Sequence, residues 1–173
     1  VNIYGIDVDG AGAGNSVDGA NANFIGVVFR NSSGGIEDVD ITGVHDAYPG
    51  GTTADGYPIQ SGNQRGVGLQ VDNDTLMSFD MIGGSISDFQ KNATVFNGGD
   101  LTITGVTITG GGAQTINAQN GFQVLNSTGT ISNNIVNDIG YAGPQTVYAT
   151  GMLLFNNNGL TVTNNQVTGT NDA

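Results

Sequence analysis

The chain has no cysteine and no tryptophan, and its 173 residues include only three prolines and three cationic side chains, Arg30, Arg65 and Lys91. The lack of cysteine excludes disulfides, thiolate zinc sites and a cysteine nucleophile, although it fixes no redox compartment. Against those three cations stand 15 acidic residues, for a net charge of −12. Nucleic acid and anionic membranes both demand basic patches, so neither is expected as a partner. No run approaches the roughly 20 apolar residues of a membrane-spanning helix. The acidity suits calcium and a salty or extracellular setting. Helical periodicity is also missing. Apolar positions alternate, as in Leu101-Thr102-Ile103-Thr104 and Val106-Thr107-Ile108-Thr109, which is the period of a strand. The regularity of these runs argues against the disorder that an acidic chain with 30 glycines would otherwise suggest.

What is present is a repeat. Asn31, Asn73, Asn97, Asn126 and Asn156 each follow a short apolar run, and each is followed within a few residues by a second run, beginning at Ile36, Leu76, Leu101, Ile131 or Leu160. A repeat of this size means stacked supersecondary units, here about three short strands joined by tight bends. Aligned on the asparagine, the inward columns read Val27, Leu69, Ala93, Phe122, Met152 and then Phe29, Val71, Val95, Val124, Leu154. The next face reads Ile3, Ile41, Met81, Ile103, Ile131, Val162. Successive asparagines are 42, 24, 29 and 30 residues apart. The variable length is assigned to two loops, near residues 46–63 and 140–150, thrown out from a constant stack. The expected fold is all-β: one domain over residues 1–173, a single-stranded solenoid of about five to six coils with an internal asparagine ladder. Parallel strands in one sheet connect right-handedly in nearly all cases, so a right-handed parallel β-helix is predicted. The chain opens at Val1 and closes at Ala173 just after a strand-like segment, and it reads as a mature fragment or a segment of a longer protein.

The stretches Gly83 to Asn92, Asn117 to Val124 and Leu160 to Gly169 resemble the parallel β-helix repeats of bacterial secreted and surface proteins in the pectin-lyase-like superfamily. The resemblance covers nearly the whole chain. It implies the fold and an extracellular or cell-surface location. It leaves activity open, because that superfamily holds polysaccharide lyases, hydrolases, epimerases, adhesins and purely structural stalks.

Several columns bear on chemistry. The asparagines are read as a structural ladder, each bonding its neighbours above and below where a bend frees backbone groups. Asp40 and Asp80 are placed in one outward column; at a strand spacing of about 4.8 Å they would repel unless solvated or bridged by Ca²⁺. The only histidine, His45, is aligned with Asp7 and sits before Asp46 and Tyr48 at the mouth of the long loop, where it would serve as a general base or acid. His, Tyr and a cation are the residue types that related uronate lyases and epimerases use. Alginate epimerases of this fold carry Asp-Pro-His-Glu, where this chain has Val44-His45-Asp46-Ala47. Arg65 and Lys91 are aligned as neighbours, a pair able to hold a polyuronate carboxylate or to pair with acids such as Asp88. Phe96, Leu125 and Phe155 form a predicted outward apolar row, covered by the 140–150 loop, buried in a protein interface or used as a platform for sugar rings.

Two functions follow as expectations. One is an extracellular scaffold, structural, adhesive or glycan-binding, whose open ends call for adjacent domains or another copy of itself. The other is a polysaccharide lyase or uronate epimerase acting on an anionic polysaccharide, with His45 or Tyr48 as base, Arg65 and Lys91 as neutralisers and Asp40 with Asp80 for Ca²⁺. No obligatory cofactor is expected.

Overall fold

The computed structural model describes residues 1–14, 24–47, 50–52, 56, 59, 61–62, 65–144 and 146–170. All of its regular structure is β. The first rung holds β1 (Asn2–Tyr4) and β2 (Asp7–Asp9). The second holds β3 (Ile25–Arg30), β4 (Gly34–Glu37) and β5 (Asp40–Thr42); the third holds β6 (Val67–Asp72), β7 (Ser78–Ile82) and β8 (Ser85–Ser87). In the fourth and fifth rungs the first two strands are continuous, giving β9 (Asn92–Thr104) with β10 (Thr107–Thr109), then β11 (Asn120–Ser132) with β12 (Ile135–Asn137). The last rung has β13 (Thr150–Phe155), β14 (Leu160–Thr163) and β15 (Gln166–Thr168).

Every pairing is parallel, between one rung and the next. One strip runs β3-β6-β9-β11-β13, a second β1-β4-β7-β9-β11-β14 and a third β2-β5-β8-β10-β12-β15. Because β9 and β11 bridge the first bend, the first two strips count as one nine-stranded sheet beside the six-stranded third. The arrangement is consistent with a β-solenoid.

The bends explain the glycine and asparagine usage. Gly5, Asp38, Gly83, Gly105, Asn133 and Asn164 occupy the position after the second strip, and all have φ between 50° and 71°. Glycine carries no Cβ penalty there, and Asn and Asp are the other residues that tolerate this left-handed region. Between the bends, alternate side chains point inward and make the core. Ile36, Met81, Ile103 and Ile131 stack in the second strip, and Ile41, Ile86, Ile108 and Val136 in the third. Phe29, Val71, Phe96 and Val124 do so in the first. The rings of Phe29 and Phe79 meet edge-on at 4.9 Å between centroids. At the rim formed by β13 and β14 the same columns open to solvent at Leu154 and Val162.

Two register steps differ from the sequence alignment. Ile36, not Ile41, pairs with Ile3 and Met81; Ile41 belongs to the third strip, between Val8 and Ile86. The bend there is made at Asp38, which takes the conformation held by Gly83 one rung on. In the fourth rung, Val71 pairs with Phe96 rather than Val95, and Asp72 with Asn97. Gly98, at φ 77°, takes the corner, so Asn97 sits one residue before it. Since side chains alternate with a period of two, this single step exchanges the inside and outside of that strand.

Candidate functional site

The register steps rearrange the predicted site residues. Phe96, expected in an outward apolar row, is fully buried in the core beside Phe79. The outward column is Arg30, Asp72, Asn97, Leu125 and Phe155, so only Leu125 and Phe155 remain as apolar neighbours. Phe155 is 63% exposed. Arg30 lies 3.8 Å from Asp72, both partly solvated, a contact of little energetic weight.

The asparagine column is likewise altered. Asn31, Asn126 and Asn156 stand at the first bend with φ of 47°, 52° and 53°, and their side chains are exposed, not internal. Asn156 Nδ2 donates to Asn126 Oδ1 at 2.6 Å, Asn126 Nδ2 to Asn97 Oδ1 at 3.0 Å and Asn97 Nδ2 to Asp72 Oδ1 at 3.0 Å. Asn31 instead exchanges bonds with Asp74, and buried Asn73 accepts from the Ser32 N–H. A ladder that reaches inward lies at the second bend, at Asn134 and Asn165. Sequence reasoning passed over it, although the paired Asn133-Asn134 and Asn164-Asn165 steps were the available signal: one asparagine makes the bend and the next turns in.

Asp40 and Asp80 do not share a column. Asp40 in β5 lies between Asp7 and Ser85, and it accepts a hydrogen bond from Ser85 Oγ at 2.6 Å. Asp80 in β7 lies between Gly35 and Thr102, in a different strip. The register fault at Ile36 had merged the two columns. Among the described residues no group of three or more His, Asp or Glu is placed to hold a metal ion.

His45 is also displaced from its predicted partner. Its ring sits past the third bend, with Nε2 3.1 Å from Asp88 Oδ2 and Nδ1 2.5 Å from the Asp46 carbonyl. Both nitrogens face acceptor oxygens, so the doubly protonated ring satisfies both. Burial alone would lower the His45 pKa, but the Asp88 and Asp46 contacts outweigh it and the net shift is upward. Asp46 is buried and central. Its N–H donates to Gln90 Oε1 at 2.8 Å, its carboxylate accepts from Ser61 Oγ at 3.2 Å, and the Arg65 guanidinium lies 3.2 Å from Oδ1. Arg65 is thus engaged with Asp46 and stands opposite the Gln90 position, whereas Lys91 stands opposite Gly66. Gln90 and Gln119 were missed: Gln119 Nε2 donates to the Phe89 carbonyl at 2.6 Å, and Gln90 Nε2 to Ser61 Oγ at 2.7 Å. Both are fully buried polar side chains, Gln90 directly after Phe89, which bridges Val44, and Gln119 directly before β11. Tyr48 lies outside the described residues.

Lys91 goes elsewhere. Its ammonium donates to the Ala118 carbonyl at the edge of an open groove beside the 140–150 loop. Burial pushes its pKa down. The candidate catalytic residues therefore divide between an interior cluster, His45 with Arg65, and a groove wall, Lys91. No protein-family model matches the chain, and no curated protein and no solved structure matches it either.

Proposed function

We propose that the chain is a right-handed parallel β-helix of the pectin-lyase-like kind that acts as a structural or adhesive scaffold in an extracellular or surface protein. The observation that carries this reading is the commitment of two of the expected catalytic groups, His45 and Arg65, to the stack itself. Both His45 nitrogens face protein oxygens, and the Arg65 guanidinium lies against a buried carboxylate. A base must present a lone pair to substrate, and an electrophilic cation must present its charge; here both are engaged with protein oxygens of Asp46 and Asp88. The acidic surface suits a secreted setting, because a high net charge keeps such a stack soluble.

The alternative is a lyase or epimerase of anionic polysaccharides, and its one support is that Lys91 lines a groove. Proton NMR of alginate and pectate incubated with the protein and Ca²⁺ tests the choice. Unchanged spectra are expected. Unsaturated-uronate or epimerised-residue signals would overturn the scaffold reading.

A further inference from the structure

Lys91 lines a groove with a largely apolar wall. The loop after the fifth rung is anchored by an isolated bridge between Tyr141 and Gln114 and by the Ala142 N–H, which donates to the Gln114 carbonyl at 2.7 Å. It stands beside the start of β11 and β13 and borders an open groove of about 740 Å³. The walls are largely apolar or aromatic, with Ile116, Tyr141, Tyr148 and Leu153. Asn120 and Thr150 add polar edges, and the Asn120 amide nitrogen is already bonded to Asn92 Oδ1 at 3.0 Å.

Lys91 is the one charged residue in that lining. Arg30 pairs with Asp72 and Arg65 with Asp46, whereas among the described residues no carboxylate pairs with Lys91. In a chain with 15 acidic residues and three cations, an unpaired cation is the exception. An ammonium has three donors. One is used on the Ala118 carbonyl. The others face a half-desolvated groove, where burial penalises the charge. A ligand carboxylate would offset that penalty, and the walls would take a flat apolar body.

We infer that this groove binds an organic carboxylate with an apolar ring body, its carboxylate on Lys91 and its ring against Tyr141 and Tyr148. The inference uses only this groove and goes beyond the scaffold reading. Turnover of polysaccharide, or its absence, leaves it standing.

The chain offers an unusually clean test because Lys91 is its only lysine. With lysine labelled at Nζ, the protein gives a single side-chain ammonium signal to titrate with naphthoate, uncharged naphthamide and glucuronate. Naphthoate should shift that signal saturably and raise the Lys91 pKa, since an opposite charge favours the ammonium. Naphthamide should bind at least about tenfold more weakly, the loss expected for about 1.4 kcal/mol of ion pairing. Lys91→Met should weaken naphthoate similarly, and Tyr148→Ala, at an exposed position, should weaken it without unfolding the protein. Equal binding of naphthamide, or no saturable shift with any probe, would overturn the proposal. Tighter binding of glucuronate than of naphthoate would overturn the apolar-ring assignment. If Lys91→Met fails to fold, the wild-type titration and Tyr148→Ala decide the matter.

Discussion

Asn134 Nδ2 lies 2.9 Å from Asn165 Oδ1 one rung away, and the same Nδ2 donates to the Ile103 carbonyl at 3.2 Å while Asn134 Oδ1 accepts from the Val106 N–H at 2.9 Å. One buried amide thus serves three rungs. It occupies the inward position held by Val39 and Val106 in earlier rungs, so a polar side chain has replaced an aliphatic one without leaving its groups unpaired.

Asn134→Ala is expected to lower unfolding free energy by about 1–3 kcal/mol, the cost of leaving buried backbone groups unsatisfied. Asn126→Gly, at an exposed corner with φ 52°, should cost less than about 1 kcal/mol because glycine takes that conformation freely. Urea titrations of the two variants would check the order. A reversal would mean that the outer column, not the inner one, holds the rungs together.

Phe96 and Phe155 are predicted to separate sharply. Phe96→Ala removes a fully buried ring and should cost about 3–5 kcal/mol, whereas Phe155→Ala should change stability by less than about 0.5 kcal/mol. Thermal midpoints measured side by side would decide it, and equal losses would refute the register that puts Phe96 inside.

The pH dependence has a definite sign. His45 has a pKa raised above its ordinary 6.5, so the folded state holds its proton more tightly than the unfolded chain does. The resulting stability is fully present below pH 6.5 and is lost as pH rises through the higher folded value. Melting midpoints between pH 6 and 9 should therefore fall in wild type and fall less in Asp88→Asn. The single histidine gives one imidazole signal, and an NMR titration midpoint at or below 6.5 would contradict the pairing with Asp88.

Gly129 has φ 104°, and a Cβ there would run into the Leu101 backbone of the neighbouring rung. Gly129→Ala should cost more than about 3 kcal/mol or prevent folding, combining backbone strain with a clash. Gly5→Ala, at φ 55° with open space around it, should cost only about 1–2 kcal/mol. Circular dichroism melts of the two variants would test the contrast.

The strand period and the parallel stacking were legible in the sequence because alternation and bend residues repeat rung after rung. Ile3, Met81, Ile103, Ile131 and Val162 fall in one column as aligned. The errors arose where a bend is made by an unexpected residue. Asp38 bends where the flanking rungs use Gly5 and Gly83, and in Asn97-Gly98 the glycine, not the asparagine, takes the corner. Each error moved side chains by whole columns, which is why Asp40 was set beside Asp80, His45 beside Asp7 and Phe96 on the surface. The interior cluster around Asp46 was not legible at all, since residues from three rungs and the loop at Ser61 meet there only in space.

The unbroken parallel order of the third strip, from β2 to β15, has a mechanical consequence. Its interstrand hydrogen bonds run along the stack rather than across it. A tether pulling the first and last rungs apart would load those bonds in series, as links in a chain, so the force needed is set by the weakest rung and not by the sum.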